Sequence, residues 1–293
     1  MKTPRKANVW LFFASVYVLS ALLYIPILLS GKGMTGMPLN TLLMAIITFV
    51  PSGMGILFTT LTKNREERKD FWRRVFRFPR GRTKMAFAGM FILPIVVVIS
   101  FLISSYINRM PISLPYAVDV LTNWKSLFIF LFVEFTFGAV SEELGWRGYA
   151  LDELQTRWNA LTSSLVLGLV WGFWHTPAFL IPGLSQHEMG GIFSWNYVAF
   201  LAMPVMGSIL HTWIYNNTGR SILVAGILMH FMQNALMIFL GGIFDRFKMP
   251  AAYYAVLAVV LGLVSILVVI VWGPETLARR PVDRLSHLVQ RTT

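Results

Sequence analysis

The chain has 293 residues, 56% of them hydrophobic and 13% charged, against roughly a quarter charged in an ordinary soluble domain. With a mean hydropathy of +0.64 it cannot cover a globule with solvated side chains, which excludes a soluble enzyme and a disordered chain. The net charge of +12 would suit nucleic acid, but the basic residues lie in short segments between apolar runs, so anionic lipid head groups are the expected counter-charge and no nucleic acid is expected.

Residues Lys2, Arg5 and Lys6 precede an apolar run over 8–30. It is longer and bulkier at its end than a cleaved signal, and reads as a retained first span. Further apolar runs follow at 39–61, 85–107, 126–145, 161–181, 197–215, 221–240 and 251–272, of a length suited to crossing a bilayer as helices. The expectation is an all-α, polytopic membrane bundle of about eight transmembrane helices. The number becomes seven if 126–145 or 161–181, which carry polar residues, tilts or breaks. Residues 1–293 read as one integral membrane domain without repeats. The absence of cysteine excludes thiolate metal sites and a cysteine nucleophile.

With eight spans and an inside start, the inside segments hold 20 of the 25 basic residues. The positive-inside rule then places both termini in the cytoplasm, and the plasma membrane of a prokaryote is the expected location. The densest segment, 63–84, interleaves Phe71, Trp72, Val75 and Phe76 with Arg73, Arg74 and Arg77. A helix on the lipid surface with arginines among anionic head groups fits it; so does a plain basic loop.

Ionisable groups inside a membrane cost roughly 2.5–3.5 kcal/mol each and mark functional positions. They are Glu134, Glu142, Glu143, Arg147, His175, His211 and His230, with Asn234 as a polar companion. Glu142 and Glu143 point about 100° apart on a helix, whereas Glu143 and Arg147, at i and i+4, can pair. That leaves Glu142 as the unpaired carboxylate, suited to act as a general base. A helix end with both acids in water is the plain alternative. His175 stands two residues before Pro177, where a helix should kink or end. His230 and Asn234, again i and i+4, present two hydrogen-bonding groups on one face; either they bond helices together or they serve a site. Taken together, Glu142, His175, His230 and Asn234 are expected around one small wet cavity able to activate a water and steady an oxyanion. Glu134, eight residues before Glu142, would line that cavity or make a polar helix contact. His211 reads as a packing hydrogen-bond donor.

These clusters resemble the signature of the CPBP intramembrane proteases, which take in the type II CAAX prenyl endopeptidases and the bacteriocin-processing or Abi-type membrane proteins. Glu142, Glu143 and Arg147 meet Glu-Glu-x-x-x-Arg. His175 meets Phe-x-x-x-His with Trp171 in the Phe place, and His230 with Asn234 meets His-x-x-x-Asn. The stretch from Trp213 to Gly219 is also similar to the family. The resemblance covers about 130–240 and puts the catalytic core at 126–240.

It implies an endopeptidase acting on a membrane-embedded or lipidated peptide. Glu142 and His175 would activate the water, His230 and Asn234 would stabilise the oxyanion, and Glu143 with Arg147 would form a structural ion pair. A metalloprotease is the competing view within the family. Glu142, His175 and His230 could form a zinc triad, or one for another divalent metal, although no His-Glu-x-x-His helix exists. The near miss at His187-Glu188 has Gly191 where the second ligand belongs, and the carboxylate-activated water is preferred. A proton-coupled transporter built on the same Glu and His residues and a non-catalytic peptide-toxin immunity protein are the competing functions.

Overall fold

The computed structural model describes residues 8–34, 37–109, 115–241 and 252–279. The basic start at 2–6 and most of the basic end beyond 279 therefore lie outside the described residues. Among the described residues every regular element is helical. Helix α1 (Val9–Ser30) starts where the Asn8 side chain accepts the Trp10 and Leu11 N–H groups, and it stops at Gly31 in the left-handed region (φ 63°). Helix α2 (Pro38–Thr62) has proline in its first turn, where no N–H is needed. Helix α3 (Arg65–Phe76) opens with a capping box in which Asn64 and Glu67 satisfy each other's backbone N–H. It is followed by α4 (Thr83–Ile107) and a short α5 (Pro115–Thr122).

The next helical stretch, 124–155, is interrupted twice. Helix α6 (Trp124–Val133) passes into a π-helical segment (Glu134–Val140), then α7 (Ser141–Gly145), a second π-helical segment (Trp146–Ala150) and α8 (Leu151–Gln155). Wide π turns leave backbone groups without their usual i→i−4 partners. In a bilayer those groups must be met from within the protein. Ser52 of α2 meets two of them: its Oγ accepts the Leu144 N–H at 3.1 Å and donates to the Val140 carbonyl at 2.8 Å. The helices are close enough for this because both faces carry glycine. A Cβ on Gly55 would sit 2.6 Å from the Leu144 oxygen, and one on Gly145 would fall on the Pro51 carbonyl.

Helix α9 (Ala160–Trp174) ends just before His175 and gives way to a 3-10 turn (Thr176–Leu180) carrying Pro177, as the proline predicts. The chain continues through α10 (Ser185–Glu188), α11 (Trp195–Asn217), a third π-helical segment (Leu223–Leu228), α12 (Met229–Gly241) and α13 (Tyr253–Trp272). Among the described residues six helices, including the joined 223–240, are long and apolar enough to cross a membrane. The two remaining runs, 126–145 and 161–181, are helical but broken or short, and they are the two singled out for their polar content.

Helix α11 packs between α9 and α13, α2 packs on α1 and α7, and α4 packs on α12 and α13. Lipid tails are as apolar as leucine, so contact quality rather than hydrophobic burial holds such a bundle together. At the centre, Phe12 meets Tyr149 at 5.1 Å and Trp146 at 6.0 Å between ring centroids, and Trp146 meets Trp174 at 6.0 Å. Leucines, isoleucines and phenylalanines such as Leu22, Ile95 and Leu263 stay exposed on the outer face. That face is a surface made for acyl chains, and the protein is an integral membrane protein.

Candidate active site

Glu142 and Glu143 stand on α7, between the two π-helical segments, and both are buried. Glu143 Oε1 accepts from Arg147 Nη1 at 2.6 Å, and neither side chain has any exposure. The same oxygen lies 2.9 Å from His230 Nδ1. A buried guanidinium with one carboxylate partner is further stabilised by an aromatic face, and the Arg147 guanidinium lies 4.3 Å from the centre of the Trp171 ring.

Glu142 points elsewhere, as adjacent residues on a helix must. Its Oε2 accepts two indole N–H bonds, from Trp171 at 2.6 Å and from Trp146 at 3.2 Å. Its Oε1 faces His175 Nε2 at 3.9 Å. The orientation of His175 follows from the end of α9. The His175 N–H bonds the Gly172 carbonyl in 3-10 fashion, so the Trp171 carbonyl is released, and the His175 ring takes it up through Nδ1 at 2.9 Å. A carbonyl can only accept, so Nδ1 carries a proton, and in the neutral ring Nε2 is then the acceptor that faces Glu142.

Trp171 is the common neighbour of these groups, with His230 at 5.3 Å and His175 at 6.1 Å between ring centroids. Asn234 lies one turn beyond His230 on α12. Its Nδ2 and the Glu134 Oε2 both stand 3.2 Å from where a Cβ on Gly138 would be, so the two side chains flank the same glycine. The π-helical turn between Glu134 and Glu142 sets their relative bearing. His211 bonds the Ala225 carbonyl through Nδ1, as a helix-packing donor, with its ring 6.2 Å from that of Trp171.

The structure thus brings Glu142, Glu143, Arg147, His175 and His230 into one buried network. Three contacts go beyond the motif reading. His230 bonds Glu143, and both Trp171 and Trp146 bond Glu142; the i, i+4 spacing of Glu142 and Trp146 was the available signal for the last. Among the described residues no three His, Asp or Glu side chains converge as ligands for one metal ion. His230 turns its Nδ1 to Glu143 while His175 faces Glu142, so this arrangement does not fit a zinc triad.

A second polar cluster, on the basic end, was not anticipated. Asp152 of α8 accepts from Tyr215 at 2.6 Å, pairs with Arg74 at 3.0 Å and is held by the Arg220 guanidinium. Arg74, expected among lipid head groups, instead turns inward and also bonds the Tyr215 hydroxyl. Burial pushes the Asp152 carboxyl up, but Arg220 and Arg74 together hold it well below the usual carboxylate range. Arg220 sits at φ 64°, rare for a residue with a side chain, and its bond to Asp152 fixes it there. The neighbouring Asn216 bonds Gln155 at 3.0 Å and the Thr276 carbonyl at 2.7 Å, which ties α11 to α8 and to the segment after α13.

The comparisons with known proteins point to the intramembrane endopeptidases. A family model described as type II CAAX prenyl endopeptidase Rce1-like matches residues 123–236. The chain is 28% identical over 238 residues, covering 80% of its own length and 85% of the relative's, to a protein of Methanococcus maripaludis named CAAX prenyl protease 2. The chain is thus similar to the CAAX-type intramembrane proteases, most directly across residues 123–236.

Proposed function

We propose that the protein hydrolyses a peptide bond in a membrane-associated, prenylated peptide, using a water activated by Glu142 and His175. The observation that carries this reading is the 3.9 Å gap between Glu142 Oε1 and His175 Nε2. Both are acceptors, and two acceptors face each other favourably only across a donor. A water roughly 2.8 Å from each would give one hydrogen to each and direct a lone pair outward. Its oxygen attacks the peptide carbonyl while its proton passes to Glu142, which then delivers it to the departing amine.

His230 and Asn234 face the oxyanion that forms. With Nδ1 turned to Glu143, the His230 ring has its Nε2 edge left to face the oxyanion. Glu143 and Arg147 hold the ring in place rather than touching substrate. The name of the Methanococcus relative supports a lipidated C-terminal peptide as substrate, and the exposed apolar face supports its arrival from the bilayer. The basic 63–84 segment, with both termini on the same cytoplasmic side, faces anionic lipids of the plasma membrane.

The test is Glu142→Gln in the purified protein, assayed on a prenylated peptide. Cleavage should fall roughly a thousandfold, with the protein still folded by circular dichroism. Undiminished cleavage would overturn the mechanism. In the same assay the wild-type rate should persist after exhaustive chelation; loss restored by zinc would establish a metal route instead.

A further inference from the structure

Two cavities open at the basic end beside α3, and their charges differ. The larger, about 730 Å³, is lined by five basic and five acidic side chains. Its charges are taken up internally by pairs such as Lys63–Glu153, Arg74–Asp152 and Arg220–Asp152. The smaller, about 270 Å³, lies between the α3–α4 connection and the turn joining α11 to the third π-helical segment. It is lined by Arg73, Arg74, Arg77, Arg80 and Arg82, with Thr218 and Ser221, and no acidic residue is among the described residues around it.

Arg73 and Arg74 are matched by Asp70 and Asp152. Arg77, Arg80 and Arg82 have no carboxylate within ion-pair distance among the described residues. Arg82 is nevertheless held in place, its Nη1 donating to the Asn217 carbonyl at 3.4 Å. Three uncompensated guanidiniums around one small cavity repel each other unless an anion joins them, and planar guanidinium forks suit phosphate oxygens. The surroundings point to a lipid. Trp72 and Phe76, both exposed, stack at 5.9 Å on α3, and exposed Phe87 and Phe91 stack at 6.4 Å on the first turns of α4. The cavity therefore sits where the charged end meets the apolar belt.

We infer that this cavity binds the phosphate group of an anionic lipid, whose acyl chains run along the aromatic face of α3 and α4. The inference rests on the reading that 63–84 faces anionic lipid, and narrows it from a diffuse charge to a site. A lipid held there links the α3–α4 connection to the turn that leads into the His230 helix.

The experiment titrates the purified full-length protein in detergent with short-chain phosphatidic acid, short-chain phosphatidylcholine and sodium phosphate, read by calorimetry. Phosphatidic acid should bind roughly tenfold or more tighter than either of the others, and the Arg80→Gln, Arg82→Gln double variant should lose roughly tenfold or more of that affinity. The double variant Arg65→Gln, Arg68→Gln removes the same charge from the segment outside the cavity and should change it less than about twofold. Equal loss in both pairs would overturn the site while leaving the lipid-facing reading of 63–84 intact; no binding by any form would overturn both. Phosphate binding as tightly as the lipid would assign the cavity to a soluble anion and overturn the lipid. Should the glutamine pair fail to fold, Arg80→Lys, Arg82→Lys keeps the charge and loses the fork, and unchanged affinity there would also count against the site.

Discussion

Trp171 contributes three things that phenylalanine could only partly replace. Its ring packs against His230, its face receives the Arg147 guanidinium, and its N–H anchors Glu142 Oε2. Trp171→Phe keeps an aromatic face and deletes the hydrogen bond. A lost bond to a charged acceptor costs about 1.5–3 kcal/mol, so kcat on a prenylated peptide should fall by at least roughly tenfold with KM nearly unchanged. Steady-state kinetics decide this, and an unaltered kcat would mean that the indole N–H is not used. The residues of the site were legible as spacing: the Glu143–Arg147 pair, the break at His175, and the i, i+4 placement of His230 and Asn234. Their pairing across helices was not. Nothing in the order of residues tells Glu143 to bond His230, 87 positions away, or Trp171 to bond Glu142.

At the level of elements, α2 and α7 are joined by close backbone approach. Gly145→Ala would drive a methyl into the Pro51 carbonyl, which can move only with its helix. We expect a loss of about 3 kcal/mol of stability and loss of cleavage, because α7 carries both glutamates. Gly53→Ala, on the same α2 but with nothing within 4 Å of its Cβ, should leave melting temperature and activity intact. Comparing the two by thermal unfolding in detergent separates close approach from a general effect of alanine. The run at 126–145 was legible as a span with polar content. Its π-helical turns were not, because they depend on Ser52 of a distant helix accepting and donating where the 134–144 backbone cannot satisfy itself.

For the molecule as a whole, the Asp152 cluster fastens α3, α8 and the turn after α11 at the basic end. Its carboxyl is held below the ordinary carboxylate range, so the stability it contributes is complete above about pH 4 and drains away as acidity rises through the lower folded-state value. Melting temperature should therefore drop below about pH 4. Asp152→Asn should flatten that acid limb and cost about 3 kcal/mol at neutral pH. An identical acid limb in the variant would remove Asp152 from the explanation. Because the chain has no cysteine, single cysteines at Arg77 and at Gln186 can report sidedness, the first labelled from the cytoplasm and the second from outside; labelling of both from one side would reject the orientation. The helical segments and their order were readable from apolar length. The inward turn of Arg74 was not, since its partners Asp152 and Tyr215 lie 78 and 141 residues further along.

Neither indole that grips Glu142 bears a formal charge, and neither can shed or gain a proton where proteins survive. Dissolved ions have nothing to compete for in that grip, whereas the arginine-rich pole is open to screening by them. Raising ionic strength should thus loosen the molecule's hold on its surrounding bilayer while leaving the Glu142 carboxylate moored as before.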